Sequence, residues 1–222
     1  MANYRKGVEM RNRIIQEARV VFNQEGLQLT LDELANRLEL TKGRITNYFP
    51  TKDELFVALS QDYDIQFGQL MASFSWTDTI SFRELSEVFS AIMDLQYEHR
   101  STIIFAAMTN SKQQAMHSQI TKSYRENSKQ VSETAKVLVK SGLITPKILE
   151  KAELDIFSFQ YVNLFTTWVI SLEIYHSSKS YRRMKPIYLK GLLRCFFPYL
   201  TGKGIEEFNQ LKIWSGKARN TM

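Results

Sequence analysis

The stretch LDELANRLELTKGRITNYFPTKDEL, residues 31–55, constrains the fold more than any other part of the chain. Thr30 followed three residues later by Glu33 makes a capping box, so a helix starts there. Leu31, Leu34, Ala35 and Leu38 then share one face at helical spacing. Glu39-Leu40 makes a turn, and Thr41 is a good cap for the next helix because its hydroxyl accepts an unpaired N–H. On that short helix Ile45 and Phe49 point inward. Lys42, Arg44, Thr46, Asn47 and Tyr48 cover its outer and flanking surface. Pro50 ends it, having no N–H and restricting Phe49. Thr51 and Glu54 form a second capping box, which opens a long helix at Lys52. Upstream, Arg13–Glu25 reads as a supporting helix with Ile14, Ala18, Val21 and Phe22 inward, and Gly26 fits a left-handed stop. A braced helix carrying cationic, amide and phenolic groups on its outer face suits a DNA major groove.

Residues 13–55, RIIQEARVVFNQEGLQLTLDELANRLELTKGRITNYFPTKDEL, resemble the N-terminal DNA-binding domain of tetracycline-repressor (TetR) family transcription regulators. The matching features are Ile14-Ile15, Ala18, Phe22, Gly26, Thr30, Leu34-Ala35, Thr41-Lys42-Gly43, Ile45, Tyr48-Phe49 and Lys52-Asp53-Glu54-Leu55. The resemblance implies an all-α protein with a three-helix, helix-turn-helix domain at 1–52. A larger helical domain at 53–222 would bind an effector and dimerise. It implies a homodimer acting on a palindromic double-stranded operator, usually as a repressor, and released by a small molecule.

Carried over residue by residue, the resemblance implies DNA contacts at Thr30, Thr41, Lys42, Gly43, Arg44, Thr46, Asn47, Tyr48 and Lys52. Lys42 and Gly43 would approach bases or phosphates, and Arg44 a guanine or a phosphate. Thr46 and Asn47 would read bases, Asn47 being suited to adenine. Thr30, Tyr48 and Lys52 would hold phosphates. Two positions depart from the pattern. Glu39 stands where the family often has a turn glycine, so the turn either is not left-handed there or carries strain. Thr46 replaces a frequent aromatic residue, so the operator sequence cannot be transferred from relatives.

Charge by itself points to the other end of the chain. Residues 1–52 carry nine Lys/Arg and six Asp/Glu, residues 53–175 ten and fifteen, and residues 176–222 ten and two. The C-terminal surplus reads as a solvated basic tail rather than as a second DNA contact. The 222 residues, 44% of them hydrophobic, suit a small domain plus a larger one. With no long apolar run, a polar N-terminus and one cysteine, Cys195, the expected setting is a soluble, cytoplasmic protein with no membrane span, disulfide or cofactor.

Beyond Leu55 the pattern predicts helices near 52–71, 81–99, 101–111, 115–141, 147–176 and 184–199. From Ile156 to Leu172 the chain is apolar nearly all round, with Phe157, Tyr161, Leu164, Trp168 and Leu172 on one side. Such a helix needs cover on several faces. Gln160, Asn163, Thr167 and Ser171 cross it as a polar line whose partners would be a symmetry mate, a ligand, or nearby backbone and water. The last helix presents Met184, Tyr188, Gly191, Cys195 and Tyr199 on one stripe. Candidate dimer contacts are therefore Gln160, Asn163, Thr167, Tyr188, Gly191 and Cys195. Candidate walls of an apolar effector pocket are Met93, Tyr97, Phe105, Met108, Phe157, Tyr161 and Trp168, with Trp76 and Phe89, although such stripes also serve as plain core.

Catalysis is not expected. His99, His117 and His176 have no metal-site spacing, and Cys195 beside Phe196-Phe197 reads as an inert thiol. A helix-turn-helix protein whose large domain only dimerises or recruits a partner remains the competing reading.

Overall fold

The computed structural model describes residues 2–75, 77–110, 113–177 and 179–211. Among them every regular element is helical, apart from one isolated backbone bridge between Ile144 and Leu200. The α-helices are α1 (Ala2–Glu25), α2 (Leu31–Arg37), α3 (Lys42–Thr46), α4 (Lys52–Ser73), α5 (Phe82–Glu98), α6 (Arg100–Met108), α7 (Gln114–Lys140), α8 (Lys151–Tyr175), α9 (Tyr181–Arg194) and α10 (Gly202–Gln210). Two compact units result, one of residues 1–71 with 95–123 and one of residues 72–94 with 124–222. Packing thus groups α4 and α6 with the N-terminal helices, whereas a cut after residue 52 separates expected roles.

The first unit closes on Ile14, Ala18, Phe22, Leu34, Ala35, Ile45, Phe49, Leu55, Phe56 and Leu59, all buried. Phe105 of α6 stacks flat on Phe56 with ring centroids 3.8 Å apart. At the start of α2, the Thr30 hydroxyl accepts the Glu33 N–H at 3.2 Å while the Glu33 carboxylate accepts the Thr30 N–H at 2.8 Å. These bonds hold the Glu33 carboxyl below its ordinary range. Gly26 adopts φ +90, as a left-handed stop requires.

The end of α2 answers the question raised at Glu39. The Leu40 N–H bonds the Ala35 carbonyl at 2.9 Å and the Glu39 N–H bonds the Asn36 carbonyl at 3.3 Å. This pair of bonds is a Schellman motif, whose residue after the cap must be left-handed. Glu39 accordingly sits at φ 55, where its Cβ crowds the backbone. The turn is left-handed and strained.

Helix α1 starts at Ala2 rather than at Arg13. Its added turns are polar and escape an apolar-period criterion. The pairs Arg5–Glu9 and Arg13–Glu17, each four residues apart, support them instead. Near its other end α1 is tied to the start of α6. Asn23 donates to the Glu98 carbonyl at 2.6 Å and accepts the Ser101 N–H at 3.0 Å, and Arg100 donates to the Asn23 carbonyl at 2.6 Å. Arg19 contacts His99 Nε2 at 2.7 Å. Because a guanidinium only donates, that nitrogen accepts and the ring proton sits on Nδ1. Burial, with the Arg19 charge adding to it, lowers the His99 pKa to about 3.

In the second unit, Phe157, Tyr161, Val162, Trp168, Val169 and Leu172 are the buried side of α8. Phe157 packs on Phe196 and Tyr199, and Tyr161 on Phe89, Phe165 and Phe196. Leu164, expected on this side, is exposed with Ile156, Phe159, Ile174 and Tyr175. The expected helix 184–199 instead begins at Tyr181, whose ring stacks on Trp168, and ends at Arg194. Pro198 then restricts Phe197, and Phe197–Tyr199 forms a short 3-10 turn. Helix α10, hidden in the sequence by two glycines, is capped by Thr201 and buries Phe208 against Phe82. Gly204 is required here, since a Cβ would meet the Leu143 carbonyl oxygen at 2.0 Å.

Candidate nucleic-acid interface

Helix α3 is five residues long and is held by its two ends. Thr41 caps it, the hydroxyl accepting the Arg44 N–H at 3.2 Å, and Ile45 and Phe49 are buried in the core of the first unit. A helix so short has little stability of its own, so burial of these two side chains supplies its orientation. The opposite side carries the polar groups. Thr41, Lys42, Gly43, Arg44 and Asn47 are exposed, and Thr46 is half-buried, its hydroxyl bonded to the Gly43 carbonyl at 3.3 Å. Neither Lys42 nor Arg44 has a carboxylate partner among the described residues. The unit therefore presents two uncompensated cations, an amide and a bare backbone segment together.

Gly43 is informative because nothing in the fold calls for it. Its φ is not left-handed, and a Cβ there would point into open space. Inside a helix, glycine costs about 1 kcal/mol relative to alanine. A glycine there leaves the backbone bare to an approaching molecule.

Other expected contacts fall differently. The Tyr48 ring packs against the core while its hydroxyl has no hydrogen-bond partner among the described residues. Thr30 is exposed, but its hydroxyl serves the α2 cap and donates to Glu33 at 2.8 Å. Lys52 does not share the outer face of α3. Its ammonium donates to the carbonyls of Leu27 and, at 2.8 Å, Leu29, and lies 5.5 Å above the Phe22 ring. Burial lowers its pKa. The group expected to hold a phosphate is instead the tie between α4 and the loop joining α1 to α2. Sequence spacing carried no sign of this, because the carbonyls lie 23 and 25 residues away.

Residues 14–59 match the sequence profile described as bacterial regulatory proteins, tetR family. Residues 14–59 are therefore a TetR-type DNA-binding domain. No curated protein matches it. Among solved structures, a TetR-family regulator from Marinobacter aquaeolei VT8 is similar with a TM-score of 0.76 and 16% identity, over 90% of this chain and 95% of that one. SmeT in complex with triclosan gives 0.62 and 16%, over 87% and 93%. SmeT is the repressor of the Stenotrophomonas maltophilia efflux pump SmeDEF. The ketosteroid regulator KstR2 of Mycobacterium tuberculosis gives 0.60 and 14%, over 86% and 95%. At such identities the likeness is one of fold, and it extends over most of the chain.

Outside the matched domain, the expected pocket residues divide between the units. In the first unit Phe105 packs on Phe56, Tyr97 is half-buried beneath the Arg100 guanidinium, and Met108 is exposed. In the second, Met93, Phe157, Tyr161 and Trp168 are buried. Trp76 lies outside the described residues. Of the expected dimer contacts, Gln160, Asn163 and Thr167 are exposed on α8. A Cβ on Gly191 would meet open space. Tyr188 turns inward, bonding His176 Nδ1 at 2.8 Å and packing on Trp168. The Cys195 thiol is half-buried, with its pKa raised by burial.

Proposed function

We propose that this chain is a sequence-specific DNA-binding transcriptional regulator, acting as a homodimer on a palindromic operator and repressing until a small hydrophobic effector releases it. The outer face of α3 carries the reading. There Lys42, Arg44 and Asn47 stand exposed around a glycine that the fold itself does not need. Thr46 and Asn47 read bases, Lys42 and Arg44 meet bases or phosphates, and the Tyr48 hydroxyl donates to a phosphate. Lys52 is left out of the contact set.

One such helix reads only a few base pairs, so two copies are required to reach successive half-sites. The exposed stripe of α8, Ile156, Phe159, Gln160, Asn163, Leu164 and Thr167, is the surface on which the second copy packs. Its polar members suit a dry interface. Asn163 donates to the Phe159 carbonyl and Thr167 to the Asn163 carbonyl, both at 2.6 Å, so less polar capacity is stranded on burial. An apolar effector is supported by the aromatic side chains packed in the interior of the second unit, and a structural neighbour was solved with triclosan. The competing reading, a regulator with no small effector, is favoured by the mutual packing of Phe157, Tyr161 and Phe196. Ligand-induced stabilisation in a thermal-shift screen separates the two. No described helix is long and apolar enough to cross a membrane, in keeping with a cytoplasmic regulator.

The test is selection of bound sequences from a random duplex library. A palindrome enriched by the wild type is expected, with Asn47→Ala losing about 1–3 kcal/mol on that site and relaxing preference at one position per half-site. An unchanged selected motif with Asn47→Ala would remove Asn47 from the reading set. No enrichment at all would overturn the proposed function.

A further inference from the structure

Helix α1 extends twelve residues upstream of the matched domain, from residue 14 back to Ala2, about 18 Å of additional rod at the usual helical rise. This extension is strongly basic, with Arg5, Lys6, Arg11 and Arg13 against a single Glu9. It lies against the reading segment. A Cβ on Gly7 would stand 3.9 Å from the Tyr48 hydroxyl, and the Arg11 guanidinium lies 5.2 Å above the Phe49 ring. Met10, between them in sequence, packs on the core.

Carboxylates neutralise two of the four cations. Arg5 pairs with Glu9 at 3.2 Å and Arg13 with Glu17 at 2.7 Å. Lys6 and Arg11 have no carboxylate partner among the described residues, and Lys6 is exposed. At Gly7, between them, there is no side chain to cover the Tyr48 hydroxyl, which has no hydrogen-bond partner among the described residues. A phenolic donor beside Gly7 and a guanidinium over the neighbouring Phe49 ring, with Lys6 exposed next to Gly7 in the chain, suit a phosphate backbone.

We infer that the α1 extension is a second DNA contact, in which Lys6 and Arg11 clamp backbone phosphates of the same duplex, next to the phosphate taken by Tyr48. This rests on the proposed DNA reading by α3 and adds a site outside the matched domain. The clamp carries no sequence information. It raises affinity, and its contribution falls as salt displaces it.

The experiment measures log Kd against log salt concentration for the full chain on the selected duplex, or on a mixed-sequence duplex at low salt if selection yields none. Wild type is compared with Lys6→Gln, with Lys6→Gln/Arg11→Gln, and with Lys129→Gln/Lys136→Gln as a charge control. The slope should fall by about one per protomer in the single variant and about two in the double, at about 0.9 per phosphate contact, with base preference unchanged. The charge control should leave the slope near wild type. Lys6 is exposed and makes no hydrogen bond or ion pair among the described residues, so the single variant stays interpretable if loss of Arg11 from Phe49 disturbs the fold. A wild-type slope in Lys6→Gln and in a folded double variant overturns the clamp and leaves the α3 reading standing. A base preference altered by Lys6→Gln also overturns it. A wild type that binds no duplex overturns both.

Discussion

Glu39→Gly should stabilise this protein although it removes a charged side chain and adds none. At φ 55 the Glu39 Cβ crowds the following carbonyl, at a cost of about 1–2 kcal/mol for an L-residue. Glycine removes that cost but has more freedom to lose from the unfolded chain, about 0.4–1 kcal/mol. The difference is about 0.5–1 kcal/mol in favour of the variant, or about 1–4 °C in Tm for a chain of this size. The carboxylate makes no hydrogen bond among the described residues, so little is lost with it. Glu39→Ala keeps the Cβ and should gain nothing, while Glu39→Asn should fall between, because asparagine tolerates this conformation. Urea unfolding of the three variants beside wild type, at constant m-value, gives the comparison. If Glu39→Gly and Glu39→Ala proved equally stable, strain at this turn would not be the explanation.

Four further perturbations probe other parts of the molecule. Gly43→Ala should raise stability by up to about 1 kcal/mol and weaken DNA binding, and paired denaturation and binding titrations would detect these opposite signs. Lys52→Met should cost about 1.5–3 kcal/mol by removing two charge-assisted bonds to loop carbonyls, with the salt slope of DNA binding unchanged in the folded protein. A lowered slope with unchanged stability would make Lys52 a phosphate contact after all. Phe159→Asp should convert dimers to monomers by sedimentation analysis, because the residue is 64% exposed in the single chain and lies on the stripe assigned to the second copy. His99 supplies the pH dependence. Its folded pKa of about 3 lies below its ordinary 6.5, so the unfolded chain binds the extra proton between these values. Its contribution to stability is complete above about pH 6.5 and is lost as pH falls, by at most about 1.4 kcal/mol per unit. His99→Gln should flatten that part of the stability–pH curve, and an unchanged slope would refute the assignment.

What was legible in the residues was local. The starts of α2, α3 and α4 follow from Thr30, Thr41 and Thr51, whose hydroxyls bond the N–H groups of Glu33, Arg44 and Glu54, each three residues on. The inward set Ile14, Ala18, Phe22, Leu34, Ile45 and Phe49 follows from helical spacing, and all six are buried. The end of α1 at Gly26 was readable for the same reason, while the polar turns before Arg13 carried no such mark.

Along α8 the limit of local reading shows clearly. Its residues announce an apolar helix but not which side faces inward. Leu164 and Phe157 are equally hydrophobic, and only the positions of Phe89, Phe196 and Tyr199 make one of them core and the other surface.

The sequence by itself therefore determined that the chain is helical, where its reading helix begins, and which residues around it face outward, whereas that helix ends at Thr46, four residues before Pro50. These depend on hydrogen bonds and periodicities spanning a few residues. The tertiary structure alone decided that Lys52 serves loop carbonyls, that Gly204 must be bare beneath Leu143, and that Gly7 lies beside Tyr48. Each of these depends on contacts between residues more than twenty positions apart. Such contacts exist only after the helices pack, so residue type and spacing could not foretell them.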